Sequence, residues 1–293
     1  MAQIIDGKAV SRAVRARVAQ ETLALKEQGV TPGLAVILVG EDPASQVYVR
    51  NKEKACAEVG FYSEKYTLPA DTTQAQLNAL VDELNAKKEI NGILCQLPLP
   101  PHLSDKEVIA RIDPAKDVDA FHPENVGAIM IGDYRFLPCT PAGVLELIHS
   151  TGTDLTGKRA VVLGRSNIVG KPVASLMMQK AVPGDATVTV CHSRTRDIKS
   201  FTLNADIIIA ALGQPGFLTA DMVKDGVTVI DVGTTRVPST ETKSGFRLKG
   251  DVDFENVAPK CSFITPVPGG VGPMTIVSLM KNTLLAARHE IYK

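Results

Sequence analysis

No excess of charge of either sign marks this sequence: 32 Lys and Arg residues balance 32 Asp and Glu residues over 293 positions. No global field then draws the chain to nucleic acid or to an anionic membrane, and any anion binding has to come from local groups. No apolar run approaches the roughly 20 residues that a membrane span needs. The N-terminus, Met1-Ala2-Gln3-Ile4-Ile5-Asp6-Gly7-Lys8, lacks both an apolar h-region and a small-residue cleavage site. These absences predict an unprocessed, cytoplasmic protein with neither nucleic acid nor membrane as partner. Cysteine is sparse and scattered: Cys56, Cys95, Cys139, Cys191 and Cys261 form no C-x-x-C pair. That excludes a disulfide framework or a zinc site and predicts reduced thiols. The five histidines contain no H-E-x-x-H pattern, and no metal is expected.

What is present is ordinary globular composition, 44% hydrophobic and 22% charged, at a length that implies two domains. Short apolar runs alternate with helical patterns. Residues 34–39 read as a buried strand, followed by a helix over 42–59 with Asp42-Pro43 as its start and Gly60 as its stop. A strand near 65–68, a helix over 73–85 and a strand over 92–96 follow, the last broken by the proline-rich turn 97–101. A second series of strands, 160–163, 187–190, 207–211 and 227–231, is also separated by helix-length segments. The pattern predicts an α/β protein of two domains with parallel sheets. An N-terminal α/β domain would span 1–139, completed by a C-terminal helix within 273–293. A Rossmann-type domain would span 140–272, with a hinge at 138–141 and a cleft between the two domains.

Gly164-Arg165-Ser166-Asn167-Ile168-Val169-Gly170 joins a strand to a helix start. Gly164 permits a tight turn, Gly170 permits close packing of helix on strand, and a helix N-terminus offers free N–H groups to phosphate. The spacing departs from G-x-G-x-x-G, so an ordinary β–α turn remains open. The next strand ends in Cys191-His192-Ser193-Arg194-Thr195-Arg196, without the acid that would bond a ribose 2′-hydroxyl. Hydroxyls and guanidiniums there, with Arg165, suit a 2′-phosphate and favour NADP; a solvated basic loop is the alternative.

In the first half, Tyr48 and Lys52 lie i, i+4 on one helix face, beside Val47 and Cys56. A lysine so placed is either partly desolvated and available for proton transfer or solvated with its stem along the helix. Gln96 ends a strand at the sheet edge where α/β sites form, or is a satisfied polar residue beside a turn. Asp117 and Asp119 alternate, so one of them at most points into a given cleft; turn formation is the other reading. Thr265-Pro266-Val267-Pro268-Gly269-Gly270-Val271-Gly272-Pro273 lets backbone approach a flat ligand, or simply connects two domains.

Taken together, these segments resemble the FolD family, bifunctional methylenetetrahydrofolate dehydrogenase/cyclohydrolases. The matching pieces are Tyr48-Val49-Arg50-Asn51-Lys52, Gln96-Leu97-Pro98-Leu99-Pro100, Lys116-Asp117-Val118-Asp119, Pro138-Cys139-Thr140-Pro141, Gly164-Arg165-Ser166 with Val169-Gly170, Cys191-His192-Ser193, Asp231-Val232-Gly233, and Pro266 through Thr275. Each is weak alone; they span nearly the whole chain in family order. The resemblance implies NADP-dependent oxidation of 5,10-methylenetetrahydrofolate to the methenyl form, and its hydrolysis to 10-formyltetrahydrofolate in one-carbon metabolism. Lys52 matches the catalytic lysine, with Tyr48 packing on the folate, Gln96 bonding the lysine and Asp119 gripping the pterin. Leu97, Pro98, Pro268, Gly269 and Gly270 would line the substrate site. Gly164, Arg165, Ser166, Ile168, Val169, His192, Ser193, Thr140, Gly213, Gly233 and Thr234 would fall on the dinucleotide side. Partners would be tetrahydrofolate one-carbon derivatives and a second copy of the chain, as a homodimer.

Three departures stand out. Ala120 follows Asp119 where the family usually has glycine, which would tighten or shift the pterin loop. Thr234-Thr235-Arg236 replaces Ile-Asn-Arg beside the cofactor. Residues 181–185 lengthen the approach to the second nucleotide strand and predict a surface loop. Two other readings compete: an NADP dehydrogenase of the shikimate type, and a non-catalytic nucleotide-binding module. Neither accounts for Lys52, Gln96 and Asp119 together.

Overall fold

The computed structural model describes residues 2–180, 184–242 and 245–289. Numbered along the chain, the strands are β1 Gln3–Ile4, β2 Gly33–Val39, β3 Tyr62–Leu68, β4 Gly92–Cys95, β5 Arg159–Leu163, β6 Thr187–Cys191, β7 Ile207–Ala210, β8 Val227–Asp231, β9 Thr235–Pro238, β10 Phe246–Lys249 and β11 Cys261–Ile264. The chain divides into two compact units. One holds Arg12–Cys139 with Ile276–Lys293; the other holds Met1–Ser11 with Thr140–Thr275.

The first unit is built on a parallel sheet of order β3-β2-β4. Its central strand, Gly-Leu-Ala-Val-Ile-Leu-Val, is buried at every position because helices cover both faces. The helix Pro43–Val59 follows β2. The Asp42 carboxylate accepts the Ser45 N–H at 2.7 Å, Pro43 takes the first turn, and Gly60 ends the helix at φ 79°. The helix Gln74–Ala86 starts from a Thr73/Gln76 capping box and packs Leu77, Val81 and Leu84 against Ile37 and Ile93. Burial of each such side chain stabilises by roughly 1.5–3 kcal/mol. Residues 116–118 lie alongside β4: Ile93 pairs in parallel with Asp117, and the Ile93 N–H donates to the Lys116 carbonyl at 2.8 Å.

The second unit carries a six-stranded sheet of order β1-β11-β8-β7-β5-β6, in which every pairing is parallel. β6 lies on one side of β5 and β7 on the other, so strand order reverses at β5 and leaves a crevice at the carboxyl ends of the strands. The helix Gly170–Met177 follows β5.

Several features depart from the expected organisation. Residues 1–11 belong with the second unit, not the first, because β1 forms a parallel ladder with β11 and Ile5 N–H donates to the Ile264 carbonyl at 2.8 Å. A long helix, Gly7–Glu27, and an antiparallel hairpin, β9–β10, were not anticipated. Arg236 sits over the Phe246 ring of that hairpin, 5.0 Å from its centre. The final helix spans Val271–Ala287; residues 290–293 lie outside the described residues, as do 181–183 of the expected surface loop. Among the described residues no helix is long and apolar enough to cross a membrane, and no group of three His, Cys, Asp or Glu residues is placed to hold a metal ion.

Candidate active site

Helical arithmetic decides the state of Lys52. The buried stripe of the helix Pro43–Val59 is Ser45, Val49, Lys52, Ala55, Cys56 and Val59, with Lys52 three residues after Val49 and three and four before Ala55 and Cys56. Lys52 falls on it and is only 9% exposed. The desolvated reading therefore holds over the solvated one. Val47, expected beside it, is exposed, and Val49 takes that place. Tyr48 is 47% exposed, at the edge of the stripe, with its ring free to meet a ligand.

The Lys52 Nζ donates to Gln96 Oε1 at 2.9 Å. Gln96 follows β4; its backbone N–H donates to the Ile37 carbonyl at 2.9 Å and its Nε2 to the Leu97 carbonyl at 2.7 Å. Both ends of the Gln96 side chain are thus fixed, with the oxygen aimed at the amine. Leu97, half-buried, and Pro98, exposed, continue the same turn. Burial lowers the pKa of Lys52, opposed chiefly by the Asp119 carboxylate. Burial in turn pushes Cys56 and Cys95 up to about 12 and raises Cys139 well above the ordinary thiol range. These three are protonated at neutral pH and act as lining, not as nucleophiles.

The two aspartates separate as alternation requires. Asp117 is 3% exposed, and one of its oxygens accepts both the His122 N–H (2.7 Å) and Asn125 Nδ2 (2.9 Å). Burial raises its pKa to about 6. Asp119 is half-buried and lies beside Cys139 and within electrostatic reach of Lys52. Ala120 is fully buried at φ 57°, the left-handed region that glycine enters freely. The backbone shape is the one glycine would give, held here at the cost of a crowded Cβ.

In the second unit, four groups of candidate residues fall just beyond the carboxyl ends of successive strands. Gly164, Arg165, Ser166, Ile168 and Val169 follow β5; His192 and Ser193 follow β6; Gly213 follows β7; Gly233 and Thr234 follow β8. Gly164 has φ 117°, and a Cβ there would lie 2.2 Å from the Ala211 carbonyl oxygen. A Cβ on Gly170 would lie 2.3 Å from the Gly164 carbonyl oxygen. Both glycines are therefore obligatory, which an ordinary β–α turn does not require. Ser166 Oγ accepts the Val169 and Gly170 N–H groups at 3.1 and 3.3 Å, shaping the helix start. Arg165, Ser166, Ile168, Ser193, Arg194, Gly213 and Thr234 are exposed at this edge. The bare cradle, the guanidiniums and the lack of an acid between Cys191 and Arg196 fit a dinucleotide with a 2′-phosphate. The remaining candidates are less distinctive. The Thr140 hydroxyl is bonded to Thr275 Oγ1 at 3.0 Å. Pro268, Gly269 and Gly270 form a turn whose Gly270 carbonyl oxygen would meet a Cβ on Gly7 at 1.9 Å.

Asp251 escaped the sequence reading altogether; Asp231 was quoted in it, but not what that carboxylate bonds. Asp251, fully buried, accepts the Leu212 and Gly213 N–H groups on Oδ2 at 2.6 and 2.9 Å. Asp231 accepts the Gly233 and Asp251 N–H groups on one oxygen and Val252 N–H on the other, and burial raises its pKa to about 7. These carboxylates anchor the loops after β7 and β8. The only local signal was glycine beside each acid: a Cβ on Gly250 would stand 1.9 Å from Asp231 Oδ2.

Comparison with known proteins gives a consistent picture. Residues 5–119 match the model of the tetrahydrofolate dehydrogenase/cyclohydrolase catalytic domain, and residues 138–291 match the NAD(P)-binding domain of the same family. The bifunctional protein FolD of Phocaeicola vulgatus is 59% identical over 292 residues, covering 99% of this chain and all of that protein. The crystal structure of the Campylobacter jejuni bifunctional FolD superposes with a TM-score of 0.93 at 47% identity, over 99% of this chain and 100% of that one. The Trypanosoma brucei methylenetetrahydrofolate dehydrogenase-cyclohydrolase, solved with NADP cofactor and inhibitor, gives 0.93 at 42% identity, over 99% and 98% of the two chains.

Proposed function

The chain belongs to the tetrahydrofolate dehydrogenase/cyclohydrolase family, and from that premise we propose how its residues divide the work. It is a bifunctional enzyme that oxidises 5,10-methylenetetrahydrofolate with NADP⁺ and hydrolyses the resulting 5,10-methenyl cation to 10-formyltetrahydrofolate. The observation that carries the assignment of residues is the Lys52 amine, buried and held by Gln96 with Asp119 nearby.

The dinucleotide supplies the hydride acceptor; Gly164, Gly170, Ser166 and the loops after β6, β7 and β8 would hold it. The protein's part in the oxidation is alignment, and positioning accounts for much of such a rate. Tyr48 would pack on the folate and Asp119 would grip its pterin, while Leu97, Pro98 and the Pro268-Gly269-Gly270 turn would line the substrate. Hydrolysis needs more of the side chains. Water adds to the methenyl carbon and gives up a proton, for which Lys52, its proton affinity lowered by burial, is the acceptor; the C–N5 bond then breaks as the new hydroxyl becomes the formyl carbonyl and its proton passes to N5. An ammonium at that position would instead repel the cationic substrate. Gln96 Oε1 orients the amine throughout.

A homodimer and a cytoplasmic location belong to the same reading. The edge strand β6, with Val190 exposed on it, is an unpaired sheet edge of the kind that subunit association covers. The test is direct. Purified protein given methylenetetrahydrofolate reduces NADP⁺ faster than NAD⁺, and methenyl absorbance then decays. Lys52→Met abolishes that decay, by at least about a thousandfold. Full cyclohydrolase activity in Lys52→Met rejects the role given to Lys52.

A further inference from the structure

The final helix carries a buried polar residue that no part of the chemistry above uses. Asn282 is 5% exposed, and its Nδ2 donates to two carbonyls, Val118 O and Leu137 O, each at 2.8 Å. Val118 immediately precedes Asp119. Leu137 lies two residues before Cys139, whose thiol also donates to the Val118 carbonyl at 3.4 Å and faces the Asp119 carboxylate. Two donors from two distant stretches of chain, Asn282 and Cys139, thus converge on the carbonyl next to Asp119, and Asn282 ties it to the Leu137 carbonyl as well. On its other side, the Ala120 N–H donates to the Asp117 carbonyl at 3.0 Å, closing a tight turn in the left-handed region.

We propose that Asn282 is a positioning residue for substrate binding, holding the Asp119 carboxylate beside Lys52 by fixing the peptide that precedes it. This rests on the reading of Asp119 as the group that grips the pterin. A buried amide is costly unless its donors are satisfied, and both N–H groups of Asn282 are. An apolar residue of the same size would fill the space, take this donor from both carbonyls and leave the Val118 carbonyl only the weaker Cys139 thiol. The turn carrying Asp119 is crowded by Ala120 and would relax once the Val118 carbonyl loses the Asn282 amide. The consequence reaches Lys52, because Asp119 is the nearest carboxylate that favours its protonated form.

The test uses Asn282→Leu in the full-length enzyme, with Asn282→Ser as the variant to use if leucine prevents folding. The folate KM of hydrolysis rises roughly tenfold while NADP⁺ affinity stays within about twofold. The acid limb of the hydrolysis pH profile moves to lower pH, since the negative charge that raises the lysine's proton affinity has drawn away. A purely structural role moves neither the profile nor the ratio of folate to NADP⁺ binding. In an Asp119→Asn background the Asn282 substitution adds no more than about twofold to the folate KM, as coupled residues are non-additive. An equal effect in both backgrounds, or an unchanged KM and profile in the folded variant, overturns the proposal. If Asp119→Asn alone leaves folate KM unchanged, the pterin-gripping reading fails. The displaced pH profile of Asn282→Leu then still reports whether Asn282 holds Asp119 beside Lys52.

Discussion

In the proposed reading the two units recognise their ligands by opposite means. Around Lys52, the proposed chemistry depends on side chains that are present: a buried amine, a half-buried amide and carboxylate, and three buried protonated thiols. At the β5 turn it depends on side chains that are missing, with carbonyl oxygens 2.2 and 2.3 Å from where two Cβ atoms would stand. The first design tunes proton affinity through desolvation. The second brings main chain to within reach of phosphate and leaves charge recognition to exposed arginines. It follows that the two activities should be separable by mutation.

The largest separation should come from Gly170→Ala. Its new methyl group overlaps the Gly164 carbonyl, which belongs to the main chain and cannot rotate away. Dehydrogenase activity falls about a hundredfold or more, with roughly 1–3 kcal/mol of stability lost to overpacking. Hydrolysis of supplied methenyltetrahydrofolate persists, because that step uses no dinucleotide. Parallel assays of both activities check this, and equal loss of both would collapse the distinction between the units. Gln96→Leu probes the opposite side with a smaller effect. It removes the acceptor fixed on the Lys52 amine, so kcat for hydrolysis drops about tenfold while NADP⁺ binding, followed by fluorescence titration, is unchanged.

The smallest effect sharpens the contrast between Asp117 and Asp119. Asp117 has its pKa raised from 3.8 to about 6 by burial. Between those values the folded state binds more protons than the unfolded state, so stability falls as pH rises through this window and the penalty is complete above it. Asn at 117 keeps an oxygen for the His122 and Asn125 donors and carries no charge. Asp117→Asn therefore stabilises by about 1–2 kcal/mol at pH 8 and by nothing at pH 3. Urea midpoints at the two pH values measure it. The same change at Asp119 touches ligand binding instead.

How much of this was legible in the sequence follows from the range of each signal. Gly164 and Gly170 could be read directly, since turn and close packing are local demands. The Asp42 start and the Gly60 stop of the Lys52 helix were equally local. The state of Lys52 was not decided by composition, because the stripe it joins differs from the exposed face by one residue of rotation; the family resemblance pointed to it and burial in the fold decided it. β1 pairs with β11 across some 260 residues, and a two-residue strand leaves no periodicity to detect. The β9–β10 hairpin is largely exposed, so it lacks the apolar alternation that marks a half-buried strand. Asn282 and Asp251 act on main-chain groups far away in sequence, carbonyls for one and N–H groups for the other, and such groups have no residue identity to recognise.

The five thiols, all buried, give the protein a built-in clock. A disulfide reagent has no sulfur to reach until the chain opens, so labelling runs at the pace of opening rather than of reagent supply. Cys191 and Cys261 report on one unit and Cys56, Cys95 and Cys139 on the other, so the order in which they react tells which unit breathes first.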